Sequence, residues 1–335
     1  MSKCTICLPV FNGEANLDKW FEAILGQTTG FEYDILIVDS GSKDRSVGII
    51  KKWQKQSRIK VSLIEIPNIE FSHGHTRNFM VDHSNSEILV FTVQDALPLN
   101  NSWLKRLDDA FEVDPKIGAV FGRHIANLNA HPISMRYIDK TFEQYRKNVE
   151  SLASAVSKNG VIYYNNPSEI KNWDKFLAFS NVNAAYRREV IKKIRFAEID
   201  FAEDRQFVKD AIKDGYFVGY VPDAVVYHSH DFNLKFTFKK TFDEWKAIKE
   251  SGGYQHKFRP YHIFTQSLIG YGADLRYILF SERLAIWQKV AGIATSPFRQ
   301  LTIKTAMYFG LNFEILPESL LRIFSEQATR RKVVT

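Results

Sequence analysis

The feature that most constrains the fold is a short apolar run, Ile88 to Val93, followed by a carboxylate at Asp95. The run is nearly continuous and rich in β-branched and aromatic residues, as is typical of a strand buried on both faces of a parallel sheet. Pro98 stops the strand from continuing. Ligands of open α/β sheets lie beyond the carboxyl ends of the strands, so Asp95 is a candidate ligand residue, and the alternative is an aspartate that only opens a turn.

Strands of this kind alternate with amphipathic helices over the first 100 residues. The predicted strands are Thr5–Val10, Asp34–Val38, Val61–Ile66 and Ile88–Val93, and the predicted helices cover residues 15–26 and 44–55. This β-α-β-α order predicts an α/β protein with a doubly wound, mostly parallel sheet, right-handed crossovers and helices on both faces.

Polar side chains gather where the predicted strands end. Asn12, Asp39, Ser40, Asp44 and Asp95 all follow carboxyl ends, on the edge where such sheets bind nucleotides. The sequence has no G-x-G-x-x-G after the first strand and no G-x-x-x-x-G-K-[ST] anywhere. These absences count against a dinucleotide-dependent oxidoreductase and against a P-loop NTPase.

A polar cluster, Phe71 to Asn78, separates the third and fourth predicted strands and contains two histidines and Arg77. One interpretation is a capped helix start with Arg77 in solvent. The other is a contact between Arg77 and phosphate oxygens, because guanidinium and imidazolium groups are suitable donors to phosphate.

Beyond residue 100 the strand-helix pattern is less regular. The predicted helices are 101–112 and Phe201 to about Lys213, and the predicted strands are Gly118–Arg123, Phe179–Ala185 and Ala224–Tyr227. Residues 124–178 show no clear period, and we interpret them as loops and short helices. They form either part of a substrate surface or an insertion without a role in binding.

The net charge of +7 is concentrated in the last quarter of the chain. Residues 251–335 contain 11 Lys or Arg against 5 Asp or Glu, whereas residues 1–250 contain 34 against 33. A local excess of this kind indicates contact with an anionic surface rather than general nucleic-acid binding. Cys4 and Cys7 give no disulfide framework or zinc site, no signal peptide is recognisable, and no run of 18 apolar residues occurs, so we expect a cytoplasmic protein.

Five short motifs occur in a characteristic order. They are P-V-F-N-G-E from Pro9, V-D-S-G-S-x-D from Val38, T-V-Q-D-A from Thr92, A-E-D from Ala202 and V-V-Y-H-S-H from Val225. Together they resemble the family 2 glycosyltransferases of the GT-A fold over residues 3–245, and the stretches 71–78 and 92–98 are similar to those of bacterial rhamnosyltransferases. The resemblance implies a catalytic domain over 1–245, with a nucleotide-binding half to residue 100 and an acceptor half beyond it, and a helical, basic region over 246–335.

The resemblance also implies roles for individual residues. Asp204 is the favoured general base of an acceptor-side acidic pair with Glu203, and Asp39 contacts the nucleobase or ribose. The other implied donor-binding residues are Pro9, Phe11, Asn12, Glu14, Ser40, Arg77, Gln94 and Asp95.

One departure from the family pattern concerns the metal motif. Val93 stands where the D-x-D motif begins with aspartate, so Asp95 is its only carboxylate. Mg²⁺ usually keeps several waters and tolerates few protein ligands. His228 matches a histidine that some family members use as a ligand, and imidazole favours Mn²⁺ over Mg²⁺. There are two alternatives. Either His228 is only hydrogen-bonded at the end of a strand, or His230 is the metal ligand in its place.

The implied reaction is inverting transfer of a sugar, with L-rhamnose from dTDP-β-L-rhamnose favoured, to a glycan or polyprenyl-linked acceptor in bacterial surface polysaccharide synthesis. A UDP-sugar donor is the alternative within the family. A non-catalytic glycan-binding module is disfavoured by the acidic pair, and a nucleotidyltransferase is disfavoured because Phe11-Asn12-Gly13-Glu14 is not a glycine-rich basic loop. Residues 251–335 are expected to dock on the inner face of the cell membrane, or alternatively to pack on the catalytic domain or in a homo-oligomer.

Overall fold

The computed structural model describes residues 2–166, 179–199, 202–231, 233–250 and 257–325. The chain divides into two compact units. The first contains the residues up to Ala126 together with Asp139–His228, and the second contains Asn127–Ile138 together with the residues from Ser229 onward. The domain boundary predicted at residue 245 falls inside a helix, Leu234–Glu250.

The first unit is built on one mixed sheet. Its strands run in the spatial order β3-β2-β1-β4-β9-β6-β10-β8-β7, with β5 paired to one end of β10. The strands are β1 (Cys4–Val10), β2 (Tyr33–Asp39), β3 (Val61–Glu65), β4 (Ile88–Thr92), β5 (Leu97–Pro98), β6 (Ile117–Ile125), β7 (Val156–Lys158), β8 (Val161–Tyr164), β9 (Asn183–Arg187) and β10 (Phe217–Tyr227). The first four in the spatial order are parallel, as the sequence predicts, whereas β9 is antiparallel to both β4 and β6.

Helices join these strands. They are α1 (Glu14–Leu25), α2 (Ser46–Gln56), α3 (His73–Asp82), α4 (Trp103–Asp109), α5 (Pro132–Glu150), which begins in the second unit, α6 (Arg188–Ile194) and α7 (Glu203–Lys213). Helix α1 buries Leu17, Trp20 and Ile24 at helical spacing in the same core as strand residues such as Ile6 and Leu8.

The prediction that residues 124–178 consist of loops and short helices was wrong for the described part of that range. Helix α5 has 19 residues, and Phe142, Tyr145 and Val149 are buried along it at helical spacing that the intervening charges obscure. A β-hairpin follows, β7 to β8, and its turn is Asn159-Gly160, both with positive φ. Asn-Gly is a strong two-residue hairpin signal that the sequence analysis missed. Residues 167–178 lie outside the described residues.

Strand register places the ends of several strands at one edge of the sheet, which we call the polar edge. Val10 pairs with Asp39, Thr92 pairs with Asn183 at the start of β9, and Tyr227 pairs with Ile125. The carboxyl ends of β1, β2, β4, β6 and β10 therefore meet at the edge from which β9 begins.

The second unit is helical. It contains α8 (Leu234–Glu250), α9 (Pro260–Phe280), α10 (Ile286–Leu311) and α11 (Glu318–Phe324). Helix α10 packs against both α8 and α9, and a small apolar cluster forms around Phe258, Met307 and Leu311. None of the helices in the described residues has the length and hydropathy that crossing a membrane requires.

Candidate active site

The loops that follow β1 and β2 are joined by hydrogen bonds at the polar edge. Asn12 adopts a left-handed conformation (φ 48°), and its N–H donates to Ser42 Oγ at 2.8 Å while its Oδ1 accepts from the Lys43 N–H at 2.8 Å. The next N–H, that of Gly13, donates to Ser46 Oγ at 2.7 Å. The two loops thus form a connected surface at the position predicted for the nucleotide.

Asp39 lies buried beneath this surface. Its Oδ1 accepts from the backbone N–H groups of Gly41 and Ser42 at 3.0 and 2.9 Å, and its Oδ2 accepts from Ser42 Oγ at 2.5 Å. Ser40 is also buried, and its hydroxyl donates to the carbonyl of Val10 at 3.1 Å. A carboxylate offers about four acceptor sites, so Asp39 shapes the loop and retains capacity for one more donor.

Gln94 connects the loop after β4 to the loop after β1. Its Nε2 donates to the carbonyl of Phe11 at 3.2 Å, and the Phe11 N–H donates back to Gln94 Oε1 at 3.3 Å. A Cβ on Gly13 would lie only 2.5 Å from Gln94 Oε1. The predicted donor residues Pro9, Phe11, Asn12 and Gln94 are therefore contiguous, and Glu14 accepts from the Arg45 N–H at 2.9 Å beside them.

Asp95 and His228 lie side by side. Asp95 Oδ1 is 3.6 Å from His228 Nδ1, and the two side chains are 30% and 16% exposed. The short strand β5 positions them, because Leu97 and Pro98 pair antiparallel with Tyr227 and Val226. A carboxylate oxygen and an imidazole nitrogen at this separation fit two ligands of one divalent cation, and the imidazole favours Mn²⁺.

His124 packs on His228 from the neighbouring strand. The ring centroids are 5.7 Å apart in an edge-to-face arrangement. Burial, with a further contribution from His228, lowers the pKa of His124 to about 3, so His124 is neutral at physiological pH. His124 was not predicted as a site residue, although its position just after the predicted strand Gly118–Arg123 was a usable signal.

Arg77 and Glu203 form a buried ion pair. Arg77 Nη1 donates to Glu203 Oε1 at 2.5 Å, and each side chain is 7% exposed. Asn181 Nδ2 donates to the same Glu203 oxygen at 3.2 Å. The contact of Arg77 with donor phosphate stays a prediction, while the contact that the structure shows is with the acidic pair.

Asp204, in contrast, is only partly buried as a residue. Its Oδ2 accepts from the Asn181 N–H at 3.2 Å and its Oδ1 accepts from the Arg205 N–H at 2.8 Å. Burial and the neighbouring Glu203 charge raise the pKa of Asp204, against the opposing charge of Arg77 and the two backbone hydrogen bonds. A raised carboxyl pKa suits a general base, because a stronger base accepts a proton more readily.

Asn181 is the residue that fixes both acids, and the sequence analysis did not identify it. Its Oδ1 accepts from the Tyr186 hydroxyl at 2.5 Å, and it is almost completely buried at the start of β9. Because Thr92 pairs with Asn183, the acidic pair lies on the same polar edge as the loop that carries Asp95. No local sequence pattern indicates this role, since the contacts join segments about twenty residues apart.

The arrangement can perform one kind of chemistry well. One edge of the sheet holds two connected loops, a carboxylate-imidazole pair suited to a cation, and a half-buried carboxylate with raised pKa. These are the parts needed to hold an anionic leaving group and to take a proton from an attacking hydroxyl.

The known proteins to which this chain is similar are glycosyltransferases. The family model described as Glycosyl transferase family 2 matches residues 5–195. The O-antigen chain rhamnosyltransferase RfbN of Salmonella typhimurium is 30% identical over 244 residues, which cover 72% of this chain and 71% of that protein. The O-antigen chain rhamnosyltransferase WbaN of Salmonella anatum is 31% identical over 248 residues, with the same coverage of 72% and 71%.

The fold of this chain is similar to that of a solved glycosyltransferase structure. The mannosyltransferase PcManGT of Pyrobaculum calidifontis, in complex with GDP-Man and Mn²⁺, superposes with a TM-score of 0.58 over 94% of this chain and 88% of that chain, at 15% sequence identity. The predicted GT-A fold is thereby confirmed. The roles predicted for individual site residues stay predictions.

Proposed function

The chain belongs to glycosyltransferase family 2, and within that family we propose that it transfers L-rhamnose from dTDP-β-L-rhamnose to a hydroxyl group of a surface polysaccharide, with inversion. The observation that carries the choice of sugar is the similarity to two proteins named as O-antigen chain rhamnosyltransferases, which extends over 72% of the chain. The half-buried Asp204 beside a polar nucleotide edge supports the reaction type.

In the proposed reaction Asp204 acts as the general base. The acceptor oxygen forms a bond to the anomeric carbon of the sugar, its proton passes to a carboxylate oxygen of Asp204, and the bond from that carbon to the diphosphate breaks. Direct displacement inverts the anomeric centre, so a β-linked donor gives an α-linked product. General-base catalysis of this kind contributes on the order of 10²- to 10⁴-fold.

Glu203 has a different proposed role. Its carboxylate is bonded to Arg77 and Asn181, so it serves to fix the first turn of α7 and thereby the direction of Asp204. Its charge also contributes to the raised pKa of Asp204. Glu203 and Asp204 are adjacent but have different proposed roles, because their hydrogen-bond partners differ.

Asp95 and His228 are the proposed cation ligands. A divalent cation held by these two side chains would supply positive charge that offsets the negative charge developing on the leaving group. The His124 ring packs edge-to-face with the His228 ring, and Gln94 connects the loop that carries Asp95 to the loop after β1. The first unit thus brings the loops proposed to bind the sugar nucleotide and the proposed cation ligands to the polar edge of the sheet.

We further propose an acceptor and a location. The acceptor is a glycan, in the form of a polyprenyl-linked intermediate, and the chain works in the cytoplasm at the inner face of the cell membrane. The support for this part is the O-antigen role named for the two relatives and the basic excess in residues 251–335.

The donor is tested by calorimetric titration of the full chain with dTDP-β-L-rhamnose, a UDP-hexose and a GDP-hexose, each with and without Mn²⁺. We expect dTDP-β-L-rhamnose to bind roughly tenfold or more tightly than the others, a free-energy difference of about 1.4 kcal/mol or more. Tighter binding of a UDP-sugar would overturn the choice of donor and leave the reaction type standing. An NMR spectrum of the product showing a β linkage would overturn single displacement.

A further inference from the structure

Helices α9 and α10 form a helical hairpin, residues 259–311, that buries several polar side chains and exposes many large apolar ones. The buried polar side chains of the two helices are Ser267, Asp274, Gln288, Ser296 and Gln300. Large apolar side chains are exposed outside: Phe264, Leu268, Phe280, Trp287, Val290 and Phe298. A large exposed apolar surface of this kind marks a site of interaction with protein or membrane.

The buried polar groups of the hairpin have hydrogen-bond partners in the second unit. Asp274 is 1% exposed, and its carboxylate accepts from Arg136 Nε at 2.5 Å, from Gln300 Nε2 at 2.7 Å and from the Ser296 hydroxyl. Gln288 Nε2 donates to the carbonyls of Leu128 and Ala130 at 3.1 and 3.2 Å. Since these polar groups find partners within the second unit, they do not require water.

The exposed apolar residues are densest where the two helices join. In the hairpin tip, residues 276–290, Phe280 and Ile286 are 80% and 77% exposed, and Trp287 is 60% exposed. Arg276 and Arg283 are exposed in the same segment. Exposed aromatic and aliphatic side chains flanked by arginines are typical of segments that lie at a membrane interface, with the rings at the acyl boundary and the charges at the headgroups.

The charge of the hairpin selects among possible partners. Residues 259–311 contain six Lys or Arg and two Asp or Glu, and one of the acids is the buried Asp274. A second copy of the chain would bring the same excess of positive charge to a shared interface, which opposes association through the tip. Anionic lipid headgroups complement this charge, at about 1 kcal/mol per basic residue near the surface.

We propose that the hairpin tip inserts its apolar side chains into the interface of an anionic bilayer, with Arg276 and Arg283 against the headgroups. The membrane location proposed above is thereby assigned to one surface, and this assignment needs neither the donor nor the acceptor to be correct. It names the surface by which the second unit meets lipid.

The test is co-sedimentation of the full chain with vesicles of phosphatidylethanolamine and phosphatidylglycerol, compared with vesicles of phosphatidylcholine alone. We expect binding to the anionic vesicles that weakens as salt is raised. Replacing Phe280, Ile286 and Val290 together by serine should lower this binding by about 100-fold or more, since each removes a side chain that lipid would bury. Arg276→Gln with Arg283→Gln should reduce the preference for anionic vesicles.

A matched control uses exposed apolar residues of the first unit. Ile69, Leu99 and Val156 are also exposed, and replacing all three by serine should leave vesicle binding unchanged. Trp287 provides a second readout, because brominated lipid should quench its fluorescence when the chain binds. The Trp287→Phe variant should bind the same vesicles but show less quenching, since the fluorescence of Trp287 is absent.

Three results would overturn the inference. The first is absence of binding to either kind of vesicle, and the second is wild-type binding by the serine variant of the tip. The third is a stable dimer in sedimentation equilibrium that the tip substitutions dissociate, which would assign the tip to a second copy. Because no sugar nucleotide is present, failure of the proposed reaction would leave these outcomes unaffected.

Discussion

Arg77 Nη1 lies 2.5 Å from Glu203 Oε1, in an ion pair that joins the third helix to the first turn of the helix that carries the candidate base. The two residues are 126 positions apart in the sequence. The pair links the polar cluster after β3 to the acidic pair, two segments that the sequence presents as separate features.

The first prediction concerns the stability of this link. Arg77→Met should lower the free energy of unfolding by about 3–5 kcal/mol, because it leaves the buried Glu203 charge without its partner. Urea unfolding of the full chain measures the loss, and the double variant Arg77→Met/Glu203→Gln should lose less than the sum of the two single changes. Arg146→Met, in an exposed pair with Glu143, is the control and should change the free energy of unfolding very little. Equal effects of the two methionine variants would contradict the buried role.

The second prediction concerns catalysis. Asp204→Asn should leave donor affinity nearly unchanged and lower the transfer rate by about 10² or more, as expected for loss of a general base. Calorimetry and a single-turnover assay measure the two quantities. Full activity in Asp204→Asn, with a large loss only in Glu203→Gln, would exchange the roles of the two acids.

The third prediction concerns the pH dependence of stability. The pKa of Asp204 is raised in the folded chain, so its contribution to stability is fully present below the pKa of about 3.9 that it has when unfolded, and it is lost as pH rises through the folded value. Ionised Asp204 is thus destabilising at neutral pH. Asp204→Asn should therefore raise the melting temperature at pH 7, and the gain should disappear in acid. A lower melting temperature of Asp204→Asn at pH 7 would contradict the upward direction of the Asp204 pKa shift.

The fourth prediction concerns the cation. Asp95→Ala should remove the part of sugar-nucleotide affinity that depends on Mn²⁺, and His228→Ala should weaken it. Titrations with Mn²⁺ and with excess EDTA separate the two parts. His230→Ala is the comparison, because that residue belongs to the second unit and is the alternative ligand. Equal transfer by the wild-type chain in excess EDTA would show that Asp95 orients the sugar or ribose instead.

The fifth prediction concerns Gly74 in the first turn of α3. A Cβ at this position would lie 2.2 Å from the carbonyl oxygen of Ala197, so Gly74→Ala must displace backbone and should cost about 1–3 kcal/mol. Gly48 lies in α2, where a Cβ meets nothing within 4 Å. Gly48→Ala should instead stabilise the chain by about 0.5–1 kcal/mol, and thermal unfolding of the pair checks the opposite signs.

Local patterns explain what the sequence could predict. The strands up to β4 and the helices α1 and α2 follow from apolar periodicity, and the order of short motifs predicted the family and the GT-A fold. Asp95 was placed at the nucleotide edge because it follows a strand end, and Gln94 because of its position in the family motif. Each of these inferences uses residues that are neighbours in the chain.

Long-range contacts explain what the sequence could not predict. The pairing of Arg77 with Glu203, and the anchoring of both acids by Asn181, depend on β9 running antiparallel between β4 and β6. No local period encodes that pairing. The long helix α5 was missed for a different reason, since charged residues between its buried positions mask the helical repeat.

The buried carboxylate of Asp274 has a consequence for the cohesion of the second unit in different solvents. Two helices held together mainly by apolar contact lose most of their mutual attraction when the surrounding medium is itself apolar. The contacts from Asp274 to Arg136, Ser296 and Gln300 are hydrogen bonds, which strengthen as the local dielectric constant falls. The pairing of α9 with α10 should therefore persist in detergent or lipid under conditions that loosen apolar cores. In the Asp274→Leu variant, the two helices should stay paired in water but separate in detergent or lipid.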